Sequence, residues 1–272
     1  MTVRFVASTR ASADEFFANS LLALSLENLA PSFAFSLEPA FAATSGLAAV
    51  YNPVIERSAD DDLIVFVHDD VQIEDWNCGA RLVEALARYD VIGVAGARTR
   101  KAGQATWFGG EPTELSGSVK HIKVRNRKYL ARFIESGLAH LPAGRGDWQA
   151  RWTRHEDGSF TRKPPVWKNG KVRWEHPGSG HGKLDFFGES PAPAKLVDGV
   201  FIAARADRLR ASKVRFDPQF SYHLYDLDFC RQCELEGLSL GVWPIAIAHG
   251  STGGWSESWR KSSELYLAKW GQ

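Results

Sequence analysis

Apolar positions along the chain alternate between a period of about two and a period of about 3.6, the signatures of strand and helix. Val3 to Ala7 is a short apolar run closed by Ser8-Thr9-Arg10, which predicts a strand. Ser12 stands as an N-cap with Glu15 three residues on, the capping-box spacing, and Phe16, Phe17, Leu21, Leu24 and Leu26 carry a helix toward Leu29. Pro31 stops it, and Ser32 to Leu37 predicts a second strand. Ser45 and Gly46 introduce a helix through Leu47, Val50 and Ile55, with Pro53 expected in its first turns. Leu63 to Val67 is continuously apolar with three β-branched residues, as in a strand buried on both faces. A helix over about Asn77 to Tyr89 and a strand over Val91 to Ala95 follow. Strands alternating with helices predict βαβ units, hence an α/β fold with a mainly parallel sheet flanked by helices.

The rhythm fails in the middle of the chain. Residues 140–195 are rich in Gly, Pro, Trp, Arg, Lys and His, and an irregular insertion is expected over 101–195. The pattern resumes with Leu196 to Ala203 as strand, Asp226 to Glu236 as helix, Leu240 to Ile247 as strand, and an amphipathic helix over Ser256 to Trp270. The expected organisation is one domain over 1–272, with halves at 1–100 and 196–272 around the insertion.

Composition narrows the class without naming a function. The 272 residues carry 33 Lys plus Arg against 32 Asp plus Glu, a net charge of +1, which argues against a nucleic-acid partner. Three cysteines are too few for a disulfide scaffold and fit a reducing compartment. With no membrane-length apolar run and no leader-like N-terminus, a cytoplasmic protein is expected, with a peripheral membrane contact still compatible. Ten tryptophans against one methionine is the unusual balance, and Trp148, Trp152, Trp167 and Trp174 fall in the irregular segment.

Candidate chemistry gathers at three places. His68-Asp69-Asp70 follows the strand ending at Val67, and open α/β sheets bind ligands at the carboxyl ends of their strands. A carboxylate pair there suits a hard divalent cation, although a solvated acidic turn explains it equally well. Tyr225-Asp226-Leu227-Asp228 opens a helix, where carboxylates are favoured by exposed N–H groups alone. His249-Gly250 follows the last predicted strand.

In order and spacing, these elements together with Val197-Asp198-Gly199 resemble the nucleotide-sugar-dependent glycosyltransferases of the GT-A (Rossmann-like) fold, in particular the family 2-like branch. Gly46 to Asn52 through Asp70 resembles that branch's helix-plus-metal-strand unit, and Asp198 to His249 its acceptor half. The resemblance covers roughly residues 1–100 and 195–255. It implies a divalent metal, Mn²⁺ or Mg²⁺, held by Asp70, Asp69 and His249, with His68 standing where the family has the first aspartate of its metal motif. It implies Asp226 as general base, with Asp228 as second choice, and Asp198 and Gly199 on the acceptor side. Ser8, Thr9 and Arg10 would lie near the nucleotide base, Asn52 near ribose or phosphate, and Asp69 beside the donor. The expected substrates are a nucleotide-sugar donor and a glycan or glycolipid acceptor, the reaction being transfer of a sugar to a hydroxyl.

Two other readings stand beside this one. Gly178-Ser179-Gly180-His181-Gly182-Lys183 superficially resembles a phosphate loop and would suit a nucleotide or nucleotide-sugar hydrolase, but the spacing is one residue short and Leu184 replaces the required Ser or Thr. A non-catalytic carbohydrate-binding module would use Trp107, Trp167, Trp174, Trp243, Trp255 and Trp259 as stacking surfaces. Cys230 and Cys233 share a helix face but lack the two further ligands zinc requires, and are expected as buried thiols.

Overall fold

The computed structural model describes residues 1–122, 152–163, 182–251 and 254–271. The first half opens with β1 (Val3–Ser8), α1 (Ala13–Asn19), α2 (Leu21–Leu29), β2 (Phe35–Ala40) and α3 (Leu47–Arg57). It continues through β3 (Leu63–Val67), β4 (Val71–Ile73), α4 (Cys78–Arg88), β5 (Val91–Gly93) and β6 (Ala95–Ala97). Then come β7 (Leu115–Ile122), β8 (Trp152–Arg154), β9 (Phe160–Arg162), β10 (Gly182–Gly188), β11 (Ala192–Ala194) and β12 (Leu196–Val197). The chain ends with β13 (Phe201–Arg205), α5 (Ala206–Ala211), α6 (Tyr225–Leu235), β14 (Leu240–Val242), β15 (Ile247–His249) and α7 (Glu257–Trp270).

Local signals account for several boundaries. Ser12 caps α1 with the full capping box to Glu15, but the single helix expected through Leu29 is two, because Ser20 both ends α1 and caps α2 through its hydroxyl. Pro53 lies well inside α3 rather than in its first turns.

The strands form two sheets. The larger has nine in the order β11-β14-β5-β13-β3-β1-β2-β9-β8, and the smaller runs β12-β6-β7-β15-β4 with β10 added to β7. Pairing is mixed, which corrects the expectation of a mainly parallel sheet. β1 runs parallel to β2 and β3, and β14 to β5, whereas β13 lies antiparallel between β3 and β5. The helical crossovers between β1, β2 and β3 enforce parallel neighbours; β13 enters from the smaller sheet and is free of that constraint.

The expected irregular insertion also contains sheet. β7 and β10 pair antiparallel along Gly117 to Ile122, and the β8–β9 hairpin extends the larger sheet past β2 through Leu37 and Phe160. Trp152 is consequently a core residue. It is 1% exposed, its ring lies 5.4 Å from Phe17 and 6.2 Å from Phe35, and its Nε1 donates to Glu27 Oε1 at 2.9 Å. Trp148, Trp167 and Trp174 lie outside the described residues.

One feature of the topology positions the candidate site. Three predicted strands, Val91 to Ala95, Leu196 to Ala203 and Leu240 to Ile247, are each divided because the chain crosses from one sheet to the other within the run. It crosses again directly after β3, which is one strand as expected. β3 passes to β4 through His68-Asp69-Asp70, β12 to β13 through Asp198-Gly199-Val200, and β14 to β15 through residues 243–246, with His249 at the far end of β15 paired to Val71 beside the first crossing. The polar residues therefore sit along the seam between the sheets.

Away from the seam, a buried ion network ties β1 to its neighbours. Arg4 Nε donates to Asp62 Oδ2 at 2.7 Å and Nη1 to Glu38 Oε1 at 2.9 Å, both carboxylates being buried. Burial pushes the Asp62 carboxyl up, but the Arg4 bond and the Thr2 and Ala59 backbone N–H groups outweigh it and hold the group below its usual range. Arg4→Ala leaves the buried Asp62 carboxylate without its cation and Glu38 with Arg57 alone, and is expected to cost about 3–5 kcal/mol in urea unfolding at neutral pH. Because the Asp62 pKa is depressed on folding, its contribution is full above the ordinary aspartate value and is lost as pH falls through the native value. The gap between variant and parent should therefore narrow in acid.

Candidate functional site

At the end of β3 the backbone is pinned from three sides. His68 N–H donates to Val200 O at 3.3 Å, Asp69 O accepts from Ser20 Oγ at 2.7 Å, and Asp70 O accepts from Gly250 N–H at 2.8 Å. Successive side chains of an extended segment point to opposite sides. His68 and Asp70 accordingly share a side and meet His249, so that one ligand atom from each lies within 4.8 Å of the others. Asp69 points away, and its Oδ2 accepts from Thr9 Oγ1 at 2.6 Å. The expected Asp69-Asp70-His249 grouping is thereby corrected: among the described residues it is His68 that lies with Asp70 and His249, while Asp69 stands outside the cluster. Thr9 is buried, and its hydroxyl also accepts from Ala11 N–H at 3.1 Å, so the loop after β1 is locked to the Asp69 corner. Ser8 closes β1, and Arg10 is exposed beyond it.

His249 Nε2 stands 3.3 Å from Asp70 Oδ1 and 3.1 Å from Ser251 Oγ. Burial pushes Asp70 up, but the His249 bond and charge prevail and hold its carboxyl below the usual range. Asp69 is pushed up by burial despite the Thr9 bond, and the charge of Asp70 adds to the rise. Burial, followed by the neighbouring His249, keeps the His68 imidazole below its ordinary value. His121 forms a rim, its ring 5.8 Å from that of His249 and its Nδ1 3.0 Å from Ser251 O. Donors of one ion with bonds near 2.1 Å lie about 3 Å apart in neighbouring positions, so the Asp70–His249 pair fits a divalent cation.

The second group centres on Asp226, the first acidic residue of α6. Leu224 precedes this helix in the left-handed region, φ 60°, turning the chain so that Asp226 faces the Asp198-Gly199 crossing. Asp226 Oδ2 accepts from Gly199 N–H at 2.9 Å. Asp198 binds its own turn through Val200 N–H at 2.8 Å and accepts from Trp107 Nε1 at 2.7 Å. Desolvation, with the Asp198 charge second, pushes the Asp226 carboxyl up to about 7. A carboxyl poised near neutrality beside a second carboxylate can accept a proton from a hydroxyl.

The two groups are joined by one buried tyrosine. Tyr225 Oη donates to Gly199 O at 2.8 Å and lies 2.9 Å from His68 Nε2. Gly199 admits this ring only because it lacks a side chain, since a Cβ there would lie 2.4 Å from Tyr225 Oη and 3.0 Å from Asp226 Cβ. Gly199→Ala is expected to destabilise by about 1–3 kcal/mol through overpacking and to displace Tyr225. Chemical unfolding and the near-ultraviolet tyrosine signal would register both effects.

Other expected residues are placed elsewhere. Asp228, second choice as base, is fully buried on the far face of α6 and is held by Gln232 Nε2, Trp270 Nε1 and Lys269 Nζ, each at 2.7 Å. Two residues along a helix turn the side chain by roughly 200°, so Asp226 and Asp228 cannot share a site. Asn52 spends its amide on Phe216, donating to its carbonyl and accepting from its N–H at 2.9 Å each, which corrects its expected place at ribose or phosphate. Trp107 and Trp243 are buried, while Trp255 is exposed and packs against Trp259 at 4.4 Å. Gly178 to His181 lie outside the described residues. Lys183 sits on strand β10, where a phosphate loop requires a helix to begin, and pairs with Asp185. Cys230 and Cys233 are free buried thiols, pushed up by desolvation.

No family model matches the chain, and no curated protein does. Among solved structures, the crystal structure of A197 from STIV is similar over 92% of this chain and 83% of that one, with a TM-score of 0.37 and 8% identity. A likeness that slight carries no argument about activity. Among the described residues, no helix is long and apolar enough to cross a membrane.

Proposed function

We propose that the chain is a metal-dependent glycosyltransferase that moves a sugar from a nucleotide-diphosphate donor to a hydroxyl of a glycan or glycolipid acceptor. The observation that carries the reading is the continuous path Asp226–Gly199–Tyr225–His68. Through it a proton-accepting carboxylate and a metal-type cluster share one frame at the sheet seam. Asp70 and His249 would hold the ion, with His68 beside them. Bound there, a divalent metal supplies Lewis-acid neutralisation of the departing diphosphate.

The protein's own groups do the rest. Asp226, near neutrality in pKa, takes the acceptor proton, and the Gly199 N–H orients the carboxylate so that its second oxygen meets the hydroxyl. Asp198 raises the basicity of Asp226 by its charge and is itself fixed by Trp107. Thr9 ties the loop beside the expected base pocket to the metal strand.

A thermal-shift screen of nucleotide sugars with and without Mn²⁺ tests the reading, because a ligand selective for the folded state raises stability with its concentration over Kd. One donor should raise Tm only when metal is present, and product analysis with acceptors should then show a new glycosidic bond. Release of free sugar alone would favour hydrolysis. Sugar binding that survives chelation and Asp70→Asn would favour a binding module.

A further inference from the structure

We infer that His68 is the third ligand of the metal centre, coordinating through Nδ1, and that the resulting set of two imidazoles and one carboxylate selects a transition-metal ion such as Mn²⁺ over Mg²⁺. This rests on the metal-site part of the proposed function and not on sugar transfer.

The tautomer follows from hydrogen-bond bookkeeping. A tyrosine hydroxyl has one proton, and Tyr225 Oη gives it to Gly199 O at 2.8 Å, an atom that can only accept. The lone pairs of Oη are therefore what faces His68 Nε2 at 2.9 Å, and Nε2 must carry the hydrogen. In a neutral imidazole that leaves the lone pair on Nδ1, the form in which histidine binds metals. The arrangement is fixed by packing, because the Tyr225 ring is buried and Gly199 lies close against it. Ligating histidines characteristically donate their other N–H to an outer partner that sets tautomer and orientation, and Tyr225 with Gly199 occupies that position. Tyr225 is a positioning residue here, acting on the ion only through His68.

Alternation along the β3–β4 crossing supports the same set. His68 and Asp70 share a side with His249, and Asp69 is bound to Thr9 on the other. The cluster thus offers one carboxylate where Mg²⁺ requires an oxygen shell in near-octahedral order, and two nitrogens that suit Mn²⁺, Co²⁺, Fe²⁺ or Zn²⁺.

The test uses the full chain stripped of metal and titrated with Mn²⁺, free ion being counted by electron paramagnetic resonance, with Mg²⁺ as competitor. Parent protein should bind Mn²⁺ with Mg²⁺ displacing it only at concentrations about 100-fold higher or more. His68→Gln should weaken Mn²⁺ by at least about 10-fold, and Tyr225→Phe by about 10- to 100-fold, the range for loss of an outer-shell partner. Nitrogen-15 histidine spectra of the metal-free parent should show His68 protonated at Nε2, and Tyr225→Phe should release that preference, a signal a merely structural role would leave unmoved. Unchanged Mn²⁺ affinity in a folded His68→Gln, a proton on Nδ1, or Mg²⁺ bound as tightly as Mn²⁺ would overturn the inference and leave the Asp70–His249 metal reading intact. A parent that binds neither ion would overturn both.

Discussion

Asp226→Asn is expected to reduce sugar transfer by about 10²- to 10⁴-fold, the usual contribution of a positioned general base. Asparagine keeps the acceptor oxygen for the Gly199 N–H, so the loop geometry should survive the change. The informative half of the result is stability. Because burial and Asp198 raise the Asp226 pKa to about 7 on folding, the native state binds the proton more tightly than the unfolded chain does. Its contribution is full below the ordinary aspartate value and is lost as pH rises through about 7. Above that pH the parent carries a destabilising charge that the asparagine variant lacks. Asp226→Asn should therefore unfold at an equal or higher temperature than the parent at pH 8 while being almost inactive. In the parent, transfer should rise with pH through the neutral range as the base ionises. A variant that loses stability and activity together would make Asp226 a structural residue.

Asp70→Asn is expected to produce the second large loss. It removes the only carboxylate of the cluster brought together by the β3–β4 crossing, and with it the charge facing His249. Metal affinity should fall by about 100-fold or more, beyond what outer-shell changes cost. Lewis-acid stabilisation is worth several kcal/mol at the transition state, and each 1.4 kcal/mol is tenfold in rate, so transfer at fixed metal should fall by about 10³-fold. Excess Mn²⁺ should restore part of the rate, whereas Asp226→Asn should be indifferent to added metal. Parent activity that survives chelation undiminished would count against a catalytic ion.

Much of the architecture was legible because it is carried by local patterns. The capping box at Ser12, the apolar run Leu63 to Val67 and the helix after Leu224 are each dictated by residues close in sequence. The departures have a common cause, which is that periodicity reports burial and not direction or partnership. It cannot tell that β13 would run antiparallel to β3, nor that Leu196 to Ala203 and Leu240 to Ile247 would each be divided between two sheets. At the site, adjacency suggested the Asp69-Asp70 pair, whereas an extended chain groups alternate residues; applied to the crossing, that rule finds His68 with Asp70. The same arithmetic on a helix separates Asp226 from Asp228. Trp152 was misplaced because the hairpin that buries it is short and its partners Phe17 and Phe35 lie more than a hundred residues earlier.

The anchorage of Asp228 gives the C-terminal helix a meaning its position would not suggest. Lys269 and Trp270, in the last turn of α7, neutralise and satisfy a fully buried carboxylate two residues beyond the proposed base. Clipping that turn would strand a charge in the interior of α6 and loosen the helix that presents Asp226, although no residue at the seam had changed. A preparation with a ragged tail would thus hold a mixture of competent and crippled molecules, identical in every residue at the seam and separable by mass and by stability.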